Sequence, residues 1–179
     1  MAEKIFFNAG KKVKGYDYPV LNERAVRATA GLMFLIGIIT FYLIKTTGNY
    51  VFLYFTVILF WVDFLIKVFI GPHLSPLSFL GSLMVKNQKP EWVGAIQKRF
   101  AWSIGFLMAT TMIVVAIVFG VRGWLPLSIC GTCLAFMWLE SALGFCVGCK
   151  LYPLFLKWGL LSEPKSRPNC PGGICEIKN

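Results

Sequence analysis

Four long apolar runs constrain this chain more than any other feature of its sequence. They lie at about Ala28–Ile44, Tyr50–Ile70, Phe100–Phe119 and Trp124–Phe145. Each run is long enough to cross roughly 30 Å of hydrocarbon as a helix. Because the runs are continuously apolar and do not alternate in polarity, they exclude a membrane β-barrel. The sequence therefore predicts an all-α integral membrane protein with four transmembrane helices.

The composition agrees with this class. Hydrophobic residues make up 57% of the chain and charged residues 15%, whereas a soluble domain holds about 25% charged residues. The net charge of +10 does not form one basic patch but lies at the ends of the apolar runs. This distribution is typical of a protein in a lipid bilayer, and it gives no support for nucleic-acid binding.

The basic residues also predict the orientation in the membrane. Lys and Arg number six in the arm before the first run, five from Lys67 to Arg99 and five from Lys150 onward. The two short connections carry one each, Lys45 and Arg122. Since loops rich in Lys and Arg stay in the cytoplasm, we expect both termini to be cytoplasmic.

A repeat links the two halves of the chain. Four matches recur at an offset of 77 residues: Trp61 with Trp138, Asp63 with Glu140, Leu74 with Leu151, and Pro76-Leu77 with Pro153-Leu154. We expect two parallel-repeat helical hairpins, each followed by a short cytoplasmic interfacial helix, related by a pseudo-two-fold axis along the membrane normal.

The repeat divides the chain into three parts. Residues 1–21 form a cytoplasmic N-terminal arm, and residues 22–161 form the four-helix membrane domain. Its repeats span about 22–95 and 96–161. Residues 162–179 are predicted to be a flexible cytoplasmic tail.

Two acids lie inside the apolar runs, where an unpaired carboxylate costs roughly 2.5–3.5 kcal/mol. Asp63 has Lys67 four residues later on the same helix face, which predicts a structural ion pair. Glu140 has no such local base. We expect it to pair across the bundle with Arg99, with Arg24 and Arg27 as alternatives, or to act as a proton acceptor.

The six cysteines fall into three pairs. Cys130 and Cys133 form ICGTC inside the fourth run, where free cysteine behaves as a small apolar residue, so packing is the favoured interpretation. Cys146 and Cys149 form CVGC at the end of that run. Lys150 would favour a thiolate there, while the negative end of the helix dipole would oppose it.

A CxxC pair at the water boundary fits thiol redox exchange, soft-metal binding or packing. Cys170 and Cys175 form CPGGIC in the polar tail, where no core surrounds them. The turn between them brings the sulfurs together, so we expect thiol or metal chemistry. The short linker allows this pair to fold back onto Cys146 and Cys149.

Four ordered motifs resemble a family of bacterial four-span membrane proteins that is catalogued as a domain of unknown function. They are Arg-x-x-x-Gly, DFLIKVFIGPHLSPLS, KRFAWSIG and LESALGFCVGCKLY, and the resemblance covers roughly Leu21 to Leu156. The family pattern GxCxGCKxY falls on Gly144, Cys146, Gly148, Cys149, Lys150 and Tyr152. The resemblance implies a bacterial inner-membrane protein of thiol or sulfur metabolism. It also implies a thioredoxin-like or rhodanese-like partner.

Three functional hypotheses follow. In the first, a membrane-embedded thiol redox or sulfur-transfer protein uses Cys146, Cys149, Cys170 and Cys175, with Glu140 as the candidate proton acceptor. In the second, the four thiolates bind zinc, copper or an iron–sulfur cluster. In the third, the chain is a subunit of a transporter for a sulfur compound or a structural subunit of a membrane complex, with a homodimer as one such assembly.

Overall fold

The computed structural model describes residues 10–13, 16 and 18–159. Within them the chain forms two short strands and six α-helices. The strands are β1 (Val20–Asn22) and β2 (Trp92–Gly94). The helices are α1 (Glu23–Thr47), α2 (Val51–Leu65), α3 (Pro76–Met84), α4 (Ala95–Met112), α5 (Trp124–Leu143) and α6 (Val147–Lys157). Short π-helical stretches, Ile66–Ile70 and Ile113–Val118, prolong α2 and α4.

The predicted all-α class is confirmed, and so are four helices with the length and apolar character of membrane spans. Helices α1, α2, α4 and α5, the second and third counted with their π-helical extensions, are long and apolar enough to cross a membrane. Helix α1 begins at Glu23 and α4 at Ala95, five residues before the predicted starts at Ala28 and Phe100. Both helices start earlier because the charged side chains of their first turns are buried against other helices and paired there.

The two strands were not predicted. β1 pairs antiparallel with β2, with Leu21 opposite Val93, and Lys11 of the arm exchanges two backbone hydrogen bonds with Val20. Each strand directly precedes the first helix of one hairpin. Their pairing therefore places the starts of α1 and α4 side by side.

Packing between the helices follows one pattern in both halves. α1 packs on α3 and α5, and α4 packs on α6 and α2. Each short helix approaches its long neighbour closely at a glycine. A Cβ at Gly81 of α3 would lie 2.8 Å from the Thr29 backbone nitrogen of α1. A Cβ at Gly148 of α6 would lie 2.5 Å from the Ala101 Cβ of α4. Both predicted short helices are present, at Pro76–Met84 and Val147–Lys157.

Asp63 and Lys67 form a fully buried ion pair, with Nζ 2.5 Å from Oδ2. The other carboxylate oxygen of Asp63 accepts hydrogen bonds from the Ser75 hydroxyl and from the Leu77 backbone N–H at 3.2 Å. Because Ser75 caps the N-terminus of α3, Asp63 ties α2 to the start of α3. Asp63 therefore acts with Lys67 as a structural ion pair.

Candidate functional site

The connection between α5 and α6 sets the geometry around the CVGC cysteines. Gly144 ends α5 in the left-handed conformation, with φ 65°, which favours glycine. Arg27 of α1 lies against this turn. Its guanidinium donates to the carbonyl oxygens of Ser141 at 3.3 Å and Ala142 at 3.1 Å, which belong to the last turn of α5. The helix therefore stops at Leu143, and a new helix starts at Val147 after three intervening residues.

Cys146 is the N-cap of that new helix. Its sulfur accepts a hydrogen bond from the Cys149 backbone N–H at 3.4 Å, and the Cys149 thiol donates to the same sulfur at 2.7 Å. The sequence predicted that the pair lies at the C-terminus of the fourth span, where the helix dipole is negative. That placement is wrong, because the break at Gly144 gives both cysteines to the N-terminal turn of α6. The partial positive charge of this helix end stabilises an anionic sulfur.

Lys98 of α4 is the buried cation next to the two sulfurs. Its Nζ lies 2.7 Å from Glu140 Oε1 and 2.8 Å from Glu23 Oε2, and its side chain is 3% exposed. The charge of Lys98 also interacts with Cys146 and Cys149. The site thus combines a dithiol, one ammonium group and two carboxylates.

The cation in contact with Glu140 differs from the one that the sequence predicted. Arg99 was expected, but its chain neighbour Lys98 makes the ion pair. Successive helical residues point about 100° apart, so Lys98 faces α1 and α5, whereas the Arg99 guanidinium donates to the Val68 carbonyl oxygen of the π-helical extension of α2. The sequence predicted Arg27 as an alternative partner of Glu140, whereas it gave no role to Glu23 and counted Lys98 only among the basic residues. The one signal for Lys98 was its place in the motif KRFAWSIG.

The two sulfurs are not equivalent. The hydrogen bond that Cys149 donates to Cys146 raises the pKa of the Cys149 thiol, and burial raises it further, while the positive charge of Lys98 acts in the opposite direction. Cys149 is therefore the thiol that keeps its proton. Lys150, expected to act on the pair, has an exposed side chain whose Nζ lies 6.0 Å from the centre of the Phe145 ring.

A polar cavity of about 150 Å³ opens beside the dithiol. Both sulfur-bearing residues line it, and charged side chains of both signs complete its wall. Its polar lining residues are Glu23, Arg27, Glu91, Gln97 and Lys98. The volume of this cavity suits a small polar molecule next to the sulfurs.

A second cavity, which we call the bundle cavity, lies between the four long helices and has a volume of about 190 Å³. Its wall is mostly apolar, and it includes Cys130 and Cys133 of α5 as well as Lys67, Glu140 and Cys146. Among the described residues, Cys146 is the one that lines both this cavity and the polar cavity. The bundle cavity thus has Cys130, Cys133 and Cys146 in its wall, whereas Cys149 lines the polar cavity alone.

Helix α6 is held against α4 by contacts of Gly148 and Tyr152. Gly148 lies against Ala101, as described above, and the buried Tyr152 ring packs on Phe100 with ring centres 5.5 Å apart. These contacts fix the first turn of α6, and with it both sulfurs, relative to Lys98.

This close contact gives a test by substitution. Gly148→Ala places a methyl group 2.5 Å from the Ala101 Cβ, so α6 must move away from α4. We expect a loss of about 1–3 kcal/mol in unfolding free energy and slower alkylation of Cys146, measured by mass spectrometry. Gly131→Ala in α5 is the matched control, because its new methyl group meets no atom within 4 Å. Equal alkylation rates in the two variants would contradict this account of Gly148.

Among the residues that the structure describes, no group of three or more His, Cys, Asp and Glu side chains is placed to hold a metal ion. A metal site at CVGC therefore needs further ligands. Cys170 and Cys175, which the second hypothesis supplies, lie outside the described residues. The four-cysteine site stays a prediction.

Comparisons with known proteins give one match. A family model described as a domain of unknown function (DUF4395) matches residues 21–157. Neither the curated proteins nor the solved structures contain a match to this chain.

Proposed function

Because this chain belongs to the family of unknown function that matches residues 21–157, we propose its activity from its own geometry: it is a membrane-embedded thiol redox protein that uses Cys146 and Cys149. One observation carries the proposal. The two thiols lie at the N-terminus of a helix, beside the buried Lys98, on the wall of a polar cavity. Both cysteines are 5% exposed, so the polar cavity is the opening through which a reagent reaches them, and the helix end and Lys98 supply the positive charge that makes a cysteine reactive.

The hydrogen bonds assign separate roles to the two sulfurs. Cys146, which accepts two hydrogen bonds at the helix N-terminus, attacks a sulfur of an incoming disulfide, and the partner's first thiolate leaves. The Cys149 thiol then loses its proton toward the carboxylates around Lys98, Glu140 among them, and attacks the Cys146 sulfur. This step closes an intramolecular disulfide and releases the partner's second thiol.

The same pair suits sulfur transfer. If the incoming group is a persulfide, Cys146 takes its outer sulfur and becomes a persulfide itself. Attack by Cys149 on the inner sulfur then forms the Cys146–Cys149 disulfide and releases hydrosulfide. Both reactions end with the same disulfide, so one measurement of that bond tests both.

We place the protein in the bacterial inner membrane with both termini and the polar cavity on the cytoplasmic side. Three of the sixteen basic residues counted for that side, Lys67, Lys98 and Arg99, are buried in the bundle. Thirteen remain against two, which still favours this orientation. In the reducing cytoplasm, a thioredoxin-like or rhodanese-like protein is the matching partner. The shared packing pattern of the two halves supports the repeat.

Redox titration of the full-length protein tests this proposal. We expect mixtures of reduced and oxidised dithiothreitol to interconvert the dithiol and a disulfide between Cys146 and Cys149, one per chain, as read by mass spectrometry of alkylated peptides. The variant Cys130→Ser/Cys133→Ser should titrate in the same way. Absence of this disulfide at every ratio would overturn the proposal. So would a stoichiometric metal that is lost with Cys170→Ser/Cys175→Ser, because metal-bound thiolates do not cycle.

A further inference from the structure

The bundle cavity has the size and the wall of a binding site for a single substituted ring. An apolar cavity of about 150 Å³ is enough to bind benzene in a protein core, and this one holds about 190 Å³. Aromatic side chains line it: Phe60, Phe64, Trp102 and Phe136. Such a wall favours a flat, apolar ligand that can stack on a ring face.

The polar groups in the wall are few, and they suit oxygen acceptors. Lys67 lines the cavity, and its Nζ lies 5.4 Å from the centre of the Phe64 ring and 5.8 Å from that of Trp102. Thr29, Thr40, Thr56 and Ser78 belong to the same wall, but the Thr29 and Thr40 hydroxyls donate to the carbonyl oxygens of Ala25 and Ile36, and Thr56 is bonded to Thr40. The Lys67 ammonium group and the Ser78 hydroxyl are the donors that a ring with carbonyl oxygens can use, whereas a lipid acyl chain uses neither.

Cys146 connects this apolar space to the polar one. It lines both cavities, and the ion pair between Lys98 and Glu140 stands in the same partition, with Lys98 on the polar cavity and Glu140 on the bundle cavity. A ligand in the bundle cavity can therefore approach the nucleophilic sulfur from the side opposite to a soluble partner. Glu140 provides a proton-carrying group beside such a ligand.

We propose that the bundle cavity binds the ring of a membrane-soluble quinone, which oxidises the Cys146–Cys149 dithiol. The proposal rests on the thiol redox function argued above, in the direction in which a soluble dithiol first reduces the Cys146–Cys149 disulfide by the reverse exchange, and it names the quinone as the acceptor of the two electrons. Two S–H bonds break and one S–S bond forms. The two electrons and two protons pass to the carbonyl oxygens of the quinone, which becomes a hydroquinone. The stoichiometry of one dithiol per quinone thus balances without another reactant.

A quinone also fits the surroundings of the cavity. Its isoprenoid tail keeps it in the hydrocarbon region, where the four long helices lie. Phe136 lines the cavity and is exposed on the outer surface of α5, which marks where a tail would leave.

A binding measurement tests the cavity without any thiol chemistry. Decylubiquinone is titrated into full-length Cys146→Ser protein in phospholipid nanodiscs, and quenching of Trp102 fluorescence is followed, with Trp102→Phe as the signal control. Ala30→Phe fills the cavity wall and should weaken binding by about tenfold or more, which corresponds to 1.4 kcal/mol. Ala135→Phe places the same ring on the exposed face of α5 and should leave binding unchanged. Equal affinities for the two variants, or no saturable quenching, would overturn the proposal.

A second measurement tests electron transfer. Pre-reduced wild-type protein is mixed with decylubiquinone, and we expect one hydroquinone and one Cys146–Cys149 disulfide per chain, both absent in Cys149→Ser. Disulfide cycling with dithiothreitol but no hydroquinone would overturn the quinone proposal and leave the thiol redox function standing. No cycling with dithiothreitol would overturn the thiol redox function itself.

Discussion

Replacing Cys149 with serine should trap Cys146 in a mixed disulfide with a soluble thioredoxin-like protein. In the wild type, Cys149 resolves that bond by attacking the Cys146 sulfur, to which its own thiol is hydrogen-bonded at 2.7 Å. Without the second thiol, the intermediate persists. Replacing Cys146 with serine removes the attacking sulfur, so turnover should fall about 10³-fold or more, as it does when an enzyme loses its nucleophile.

Mass spectrometry detects the covalent complex. Turnover is measured as the rate at which the disulfide of the soluble partner is reduced. Cys130→Ser and Cys133→Ser are the matched controls, because they remove thiols of the same membrane domain that lie outside the polar cavity. A complex that forms equally with Cys146→Ser and Cys149→Ser would contradict the assigned roles. It would show that the two sulfurs are interchangeable.

Replacing Lys98 with methionine should have the largest effect on stability. The substitution removes the ammonium group that holds both Glu23 and Glu140. Neither carboxylate then keeps an ion pair within the described residues, although the charge of Arg27 still acts on Glu23. Breaking a buried ion pair from one side costs about 3–5 kcal/mol. We also expect alkylation of Cys146 to slow by about tenfold, because a nearby lysine favours the reactive thiolate. Unfolding in mixed micelles measures the first effect and alkylation rates the second.

A compensated variant separates stability from reactivity. Glu23→Gln/Lys98→Met/Glu140→Gln carries no unpaired charge at the cluster, so it should recover most of the lost stability while alkylation stays slow. Lys86→Met is the control, because Lys86 is exposed in the connection after α3 and should change neither quantity. Recovery of the full alkylation rate in the triple variant would mean that Lys98 acts only by holding the fold together.

The long helices were predictable because the lipid environment demands an unbroken apolar run of a given length. The strands were not predictable, because a strand of three residues is too short to show an alternating pattern. Only the pairing of the two strands, which are distant in the sequence, makes them stable. The helix starts were missed for a related reason. Glu23 and Lys98 look like residues at a water boundary until the fold brings them into contact, and a single sequence does not show that contact.

The functional site was predictable in its sulfurs but not in its electrostatics. The spacing of CVGC indicated a thiol pair, and the glycine at position 144 was visible in the sequence. This glycine ends one helix and lets Cys146 cap the next. Both depend on Arg27, which is more than a hundred residues away in the sequence and donates to the last carbonyl oxygens of α5. The reversal of the helix dipole at the sulfurs is thus a tertiary effect.

The most direct test of the central claim is mass-resolved alkylation of every cysteine in intact and in permeabilised cells, with a membrane-impermeant maleimide. We predict that Cys146 reacts only after permeabilisation and reacts fastest, and that Cys149 reacts more slowly and gains rate as the pH rises, because its raised pKa keeps it protonated at neutral pH. Cys146 that is inert in permeabilised cells, or that reacts in intact cells, would contradict a reactive dithiol at the cytoplasmic water boundary.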